Sequence, residues 1–150
     1  SSPDRVLDIL LEAWQSVVRA HPDATLLVTY GAEPVDLPNV YFMGDVDEET
    51  MNDLYRTSDV WCHPCTGGEL FGISGVKAQA AGCIPVIIPT MALKETVKNG
   101  YFATRENYQD TLISCLDTDN TELRNKLSQE HYVDWEESTR KLLEIIQTVI

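Results

Sequence analysis

An uninterrupted apolar run, CIPVIIP at residues 83–89, constrains the fold of this chain more than any other segment. Its apolar residues do not alternate with polar ones, so the run predicts a strand that is covered on both faces. Strands of this kind are typical of parallel sheets with helices on both sides. We therefore expect an α/β fold built around a parallel sheet.

Helical and extended patterns alternate along the rest of the chain. An amphipathic helix is predicted from Pro3, with Ser2 as its N-cap, to the turn at His21. Strands are predicted in ATLLVTYG, NVYFMG, SDVWCHP and GYFAT, and helices over Asp47–Thr57, in GISGVKAQAAG and in three C-terminal stretches. This order predicts one doubly wound, Rossmann-like parallel sheet with C-terminal helices. The length of 150 residues, 43% of them hydrophobic, fits a single domain over 1–150.

The charge balance excludes some partners, because the formal net charge is -13 at pH 7. An acidic chain of this kind is a poor match for nucleic acid or an anionic membrane surface, but a small anion needs only a local cluster of donors. No apolar run reaches the roughly 18 residues of a membrane-spanning helix. A core of this size does not need disulfide bonds for stability, so we expect the four cysteines to be free thiols. Free thiols indicate a reducing, cytoplasmic compartment. Since the chain opens on SSPDR without Met, we expect a piece of a longer protein.

The order of elements also predicts where a ligand binds. Doubly wound sheets bind ligands outside the carboxyl ends of their strands, which points here to the loops after Gly31, Gly44, Pro64 and Pro89. The segment TGGELFG follows the strand that ends at Pro64 and leads into a helix of small residues. The N-terminus of such a helix offers backbone N–H groups to a phosphate.

Residues 63–87, HPCTGGELFGISGVKAQAAGCIPVI, resemble the donor-site signature of the retaining GT-B glycosyltransferases, in the family 4-like group of glycogen synthases and mannosyltransferases. The segments RVLDILLEAW, NVYFMGDVDEETMNDLYRTSDVWCHP and WEESTRKLLEII are similar to the flanking helices and strands of that family, in the same order. The resemblance implies the C-terminal, nucleotide-sugar-binding half of a GT-B fold. It also implies that the first strand of this half and an N-terminal, acceptor-binding domain lie outside the chain, so that the chain alone is not active.

The resemblance assigns roles to individual residues without requiring a metal or a further cofactor. It implies that Glu69 accepts hydrogen bonds from hydroxyls of the donor sugar and is the candidate catalytic residue. The other candidates contact the nucleotide and its phosphates: Arg5, Gly31, Gly44, Asp45, Phe71, Gly72, Ile73 and Lys77. Of these, Arg5 replaces a phosphate-binding Lys, and Gly44 with Asp45 belongs to the loop that lines the nucleobase. A structural role for each, as a turn or a surface charge, is the competing interpretation.

Two departures from the family pattern leave the function open. Lys77 stands where the family has a second Glu that holds the ribose hydroxyls, and an ammonium has no lone pair with which to accept them. A Gly-Gly loop near the donor sugar is replaced by PTMALKET. The chain is therefore either part of a divergent glycosyltransferase or a degenerate, non-catalytic GT-B-like module for binding or assembly.

A redox function is the third hypothesis, because WCHPC is a C-x-x-C pair that follows a predicted strand. Thioredoxin-like proteins begin a helix at the first of these cysteines, and the helix N-terminus lowers its pKa. Here TGGE follows at once, which disfavours such a helix. Cys62 and Cys65 are therefore predicted to be buried or loop thiols.

Overall fold

The computed structural model describes residues 3–31, 33–67, 70–130 and 135–149. These residues form five strands: β1 Leu26–Thr29, β2 Val40–Gly44, β3 Val60–His63, β4 Ile84–Ile87 and β5 Tyr101–Phe102. They also form seven helices: α1 Pro3–Ala20, α2 Glu48–Thr57, α3 Ile73–Ala80, α4 Leu93–Thr96, α5 Tyr108–Asp117, α6 Thr121–Gln129 and α7 Trp135–Val149. No helix within these ranges is long and apolar enough to cross a bilayer.

The predicted α/β order is confirmed at every element except one. The short helix α4 lies inside PTMALKET, which had been expected to be a loop. The predicted N-cap Ser2 lies outside the described residues. So does Asp134, at which a capping-box-like pattern with Glu137 three residues later predicts the start of the last helix. Asp47 does cap α2, because its side chain accepts a hydrogen bond from the Thr50 N–H at 2.8 Å.

All strand pairs are parallel, as predicted, and within the described residues the strands fall into two sheets. Strand β1 pairs with β2, while β3, β4 and β5 form a separate sheet in that order. No described strand lies between β1 and β3, and a cavity of about 800 Å³ separates them. The two sheets nevertheless share one core, because buried residues of α1, β1, β4 and α5 belong to the same cluster.

Strand β4, the apolar run, lies at the centre of its sheet and is buried along its whole length. Tyr108 of α5 fixes the helix layer above it, since its hydroxyl donates to the Val86 carbonyl at 3.0 Å. Pro85 is tolerated in this central strand because it precedes the first pair between β4 and β5, so its missing N–H costs no ladder bond. Strand β4 therefore fixes the position of α5 against the sheet.

Helix α3 packs closely against the Trp61 side chain of β3, and the glycine at position 75 makes this possible. A Cβ on Gly75 would lie 3.0 Å from Cζ3 of Trp61 and 3.1 Å from Cγ2 of Val97. On the next turn, the buried Gln79 donates from Nε2 to the Thr96 carbonyl at 2.9 Å, which joins α3 to α4. The absence of a side chain at Gly75 and the hydrogen bond of Gln79 together fix the position of α3.

Candidate donor-binding site

Three glycines with left-handed backbone lie at or after the carboxyl ends of β1, β2 and β3. Gly31, Gly44 and Gly72 have φ angles of 38°, 66° and 78°, and they follow β1, end β2 and precede α3. A side chain in this left-handed region costs about 1–2 kcal/mol, which glycine avoids. A Cβ on Gly31 or Gly44 would meet nothing within 4 Å, so backbone conformation rather than crowding requires glycine there. The structure thus brings these predicted site residues to one edge.

The N-terminus of α3 presents backbone donors at this edge. Gly72 is the N-cap, with no side-chain capping bond among the described residues, and its carbonyl accepts the first bond of the helix from Val76 N–H at 3.2 Å. The N–H groups of the first turn, from Ile73 to Gly75, have no acceptor within the helix. They carry the positive end of the helix dipole, which favours an anion.

Large apolar side chains are exposed around the same edge. They are between 55% and 84% exposed: Tyr30, Leu70, Phe71, Ile73 and Met91. Tyr30 and Met91 also have positive φ angles, of 70° and 44°, although neither is a glycine. Sequence reasoning missed both, since only the neighbouring Gly31 and Pro89 signalled a turn. Strained backbone and exposed apolar side chains cluster at functional sites.

Lys77 lies on α3 and is paired with a carboxylate of the neighbouring helix. Its Nζ is 2.7 Å from Oε1 of Glu48, in the first turn of α2. The hydrogen bond to Lys77 lowers the pKa of Glu48, and the same bond raises the pKa of Lys77. The pair joins α3 to the helix that follows the Gly44 loop. Asp45, in that loop, is exposed.

Two predicted site residues are not tested by the structure. Glu69, the candidate catalytic residue, lies outside the described residues, so its role stays a prediction. Arg5 lies in α1, but its side chain is not described. Its neighbour Val6 packs against Cys65, Ile87 and Leu93, which places the start of α1 near the carboxyl end of β4.

The cysteine pair does not have the thioredoxin arrangement, which disfavours the redox hypothesis. Cys62 lies within β3, Cys65 lies in the loop after it, and α3 begins only at Ile73. Burial raises the pKa of the Cys62 thiol to about 12, the opposite of what a redox nucleophile needs. Cys65 is buried, and its carbonyl accepts a hydrogen bond from Thr90 Oγ1 at 3.0 Å. Cys65 therefore ties the loop after β3 to the loop after β4.

The amino-acid sequence matches a known family over most of the chain. A family model described as glycosyl transferases group 1 matches residues 2–126. The chain belongs to the group 1 glycosyltransferases. This confirms the resemblance to family 4-like GT-B glycosyltransferases. The C-x-x-C pair therefore belongs to a glycosyltransferase domain, and its resemblance to the thioredoxin motif does not indicate a thioredoxin fold.

Curated relatives of this group 1 chain are named phosphatidyl-myo-inositol mannosyltransferases. The protein from Mycobacterium tuberculosis is 33% identical in an alignment 106 positions long, which covers 65% of this chain and 28% of the relative. The protein from Mycolicibacterium smegmatis is 26% identical in an alignment 164 positions long, gaps included, which covers 98% of this chain and 42% of the relative. The protein from Propionibacterium freudenreichii is 32% identical over 85 residues, which are 57% of this chain and 22% of the relative. The chain thus spans less than half the length of these relatives.

Proposed function

We propose that this chain is the donor-binding half of a glycosyltransferase that transfers a hexose from a nucleoside diphosphate. The observation that carries the proposal is the N-terminus of α3 beside the left-handed glycines of the carboxyl edge. The names of the relatives favour a mannosyl donor. The acceptor is held by a second, N-terminal domain, since the relatives are more than twice as long as the matched region.

The chemistry that this half supplies is electrostatic. As the bond between sugar and diphosphate breaks, negative charge develops on the leaving phosphate. The N–H groups of Ile73 and Ser74 stabilise that charge, and the absence of a side chain on Gly72 lets the phosphate oxygens approach the backbone. In this proposal Arg5 adds a positive charge, and Glu69 holds hydroxyls of the sugar.

We further propose that Glu48 replaces the carboxylate that Lys77 lacks. Lys77 cannot accept a hydrogen bond from ribose, whereas Glu48 has two oxygens, and only Oε1 is held by Lys77, at 2.7 Å. Glu48 is ionised at neutral pH, and the hydrogen bond to Lys77 lowers its pKa further from the ordinary value. A charge-paired acceptor at the edge next to the Gly44 loop therefore remains available to the nucleotide.

The alternative is a non-catalytic GT-B-like module, and Lys77 favours it, because its ammonium replaces a hydrogen-bond acceptor. The two functions differ in turnover and not in fold. A module of this kind binds a partner or a nucleotide without releasing sugar to an acceptor.

Isothermal titration calorimetry on the full-length protein tests the proposal. Nucleoside diphosphates with different bases and the corresponding sugar nucleotides are titrated into wild type, Gly72→Val and Glu48→Gln. We expect binding of at least one nucleotide, weakened about tenfold in each variant, which corresponds to the loss of one charge-assisted contact of about 1.4 kcal/mol. Glu144→Gln is the matched control for Glu48→Gln, since Glu144 also pairs with a basic side chain, Arg140, but lies in α7. No heat with any nucleotide refutes the donor site, and binding without turnover favours the non-catalytic module.

A further inference from the structure

An asparagine directly before a glycine, Asn99 and Gly100, lies just ahead of β5, and its side-chain amide is held by two charged groups. Lys126 Nζ donates a hydrogen bond to Oδ1 of Asn99 at 2.7 Å. Asn99 Nδ2 donates in turn to Oε2 of Glu130 at 2.8 Å. Lys126 belongs to α6, and Glu130 directly follows that helix, so the amide joins the end of α6 to the segment before β5.

The fold admits only glycine at position 100. Gly100 has a φ angle of 149°, a value that residues with a Cβ rarely adopt. A Cβ there would lie 2.6 Å from the carbonyl oxygen of Pro85 in β4, and that backbone atom cannot move aside as the end of a flexible side chain can. Packing against β4 therefore requires Gly100, while the contacts to α6 employ the amide of Asn99.

This pair of residues is chemically reactive. The backbone nitrogen that follows an asparagine can attack its Cγ and close a cyclic imide, and a side chain on the following residue obstructs that approach. Gly100 has no side chain to obstruct it. The Gly100 N–H also takes no part in the ladder between β4 and β5, whose pairs begin with Val86 and Tyr101. The attacking nitrogen is therefore not held in the sheet.

Lys126 is placed to promote the attack. When a nitrogen adds to Cγ, negative charge develops on Oδ1 of Asn99, and the ammonium of Lys126 lies 2.7 Å from that oxygen. A hydrogen-bond donor aimed at a developing oxyanion stabilises the transition state, and in a contact open to solvent we expect an effect of about tenfold on the rate. Glu130 holds the other end of the amide and fixes its plane.

We propose that Asn99 is a site of spontaneous deamidation, in which Gly100 supplies the nucleophile and Lys126 stabilises the oxyanion. The Gly100 nitrogen gives its proton to water and bonds to Cγ, while the electron pair of the carbonyl moves to Oδ1. When this pair returns, the bond from Cγ to Nδ2 breaks, and Nδ2 takes a proton from water and leaves as ammonia. Water then opens the imide to aspartate or isoaspartate. The sum consumes one water and releases one ammonia, without oxidation or reduction.

The product weakens the junction between β5 and α6. An aspartate at position 99 replaces the N–H donor to Glu130 with a second carboxylate, and two carboxylates at hydrogen-bond distance repel each other. Isoaspartate also adds a backbone atom directly before β5, which consists only of Tyr101–Phe102. The Tyr101 hydroxyl donates to Oδ1 of Asn120, the residue before α6, at 2.9 Å. A displaced β5 therefore loses its contacts at both ends of α6.

Peptide mapping by mass spectrometry tests the modification without any nucleotide, so its outcome is independent of the donor site. The full-length protein is incubated at mildly alkaline pH, and conversion of each asparagine is followed together with the release of ammonia. Asn120 is the internal control, because both ends of its amide are also bonded but Thr121 follows it. We expect conversion at Asn99 and none at Asn120.

Two lysine variants test the role of the ammonium. Lys126→Gln is expected to slow the conversion of Asn99 about tenfold, because the oxyanion loses its charged donor. Lys141→Gln is the matched control, since that lysine also pairs with a carboxylate but lies in α7, and the rate should not change. Conversion of Asn99 no faster than that of Asn120, or a rate that Lys126→Gln leaves unchanged, overturns the proposal.

Urea titration measures the consequence for the junction. Asn99→Asp reproduces the aspartate product, and we expect its unfolding midpoint to fall below that of wild type. Adding Glu130→Gln to this variant is expected to restore the midpoint, because the glutamine amide can donate to the new carboxylate. A midpoint of Asn99→Asp equal to that of wild type, or no recovery in the double variant, would show that deamidation does not loosen α6 and would overturn this part of the proposal.

Discussion

Replacing Gly75 with Val tests how the fold positions the candidate site. The first added carbon would lie 3.0 Å from Cζ3 of Trp61 and 3.1 Å from Cγ2 of Val97, closer than carbon atoms pack. Two more methyl groups on that carbon cannot fit between Trp61 and Val97 unless α3 moves. Overpacking of this kind costs about 1–3 kcal/mol, and the better helix propensity of Val returns only about 0.3 kcal/mol.

The free energy of unfolding from urea titration measures this effect. We expect Gly75→Val to lose about 1–3 kcal/mol, which lowers the Tm of a protein of this size by about 2–12 °C. Nucleotide affinity falls as well, because the displaced helix carries the N–H donors. Gly67→Val is the control, since open space surrounds a Cβ at that position. Surface substitutions usually change the free energy of unfolding by no more than about 0.5 kcal/mol. A change this small in Gly75→Val would refute the packing argument.

Three further predictions concern the contacts around α3 and the core. Gln79→Leu removes the donor to the partly buried Thr96 carbonyl and is expected to cost about 1–3 kcal/mol in urea titration; an unchanged midpoint would show that this bond does not hold α4. Lys77→Gln is expected to raise the pKa of Glu48 toward its ordinary value of 4.5, measured by carboxyl NMR titration. Because the folded pKa of Glu48 is lowered, its contribution to stability is present above the unfolded pKa and is lost as the pH falls through the folded pKa. That pH dependence should vanish in Lys77→Gln, and its persistence would assign it to another group. The Cys83 thiol, with a pKa raised to about 12 by burial, is expected to resist a thiol reagent at pH 8 until urea unfolds the protein, and rapid labelling of the native state would contradict this.

Much of the fold was predictable because its signals are local. The unbroken apolar run of β4 and the helical spacing of Ile9, Ala13 and Val17 are buried as their patterns predict. Helix α4 escaped prediction because four residues are too few to show a period, and Ala92 before it has no capping side chain. The division into two sheets escaped as well. Local patterns predict which residues are extended, but they do not specify which strands become neighbours.

The candidate site was predictable where backbone conformation requires glycine, as at Gly31, Gly44 and Gly72. The partner of Lys77 was not, because Glu48 lies 29 positions away and only the packing of α2 against α3 brings them together. Tyr30 and Met91 adopt left-handed backbone without a residue type that signals it. These features arise from tertiary structure, which one sequence read locally does not contain.

Chemical-shift mapping by NMR tests the central claim most directly. Nucleoside diphosphate is titrated into isotopically labelled full-length protein, and the shifts of backbone amides are followed. The account predicts that the largest changes occur at the N-terminus of α3, from Gly72 to Gly75, and in the loop at Gly44 and Asp45. Saturable shifts confined to another part of the surface, or no shifts at millimolar nucleotide, would contradict it.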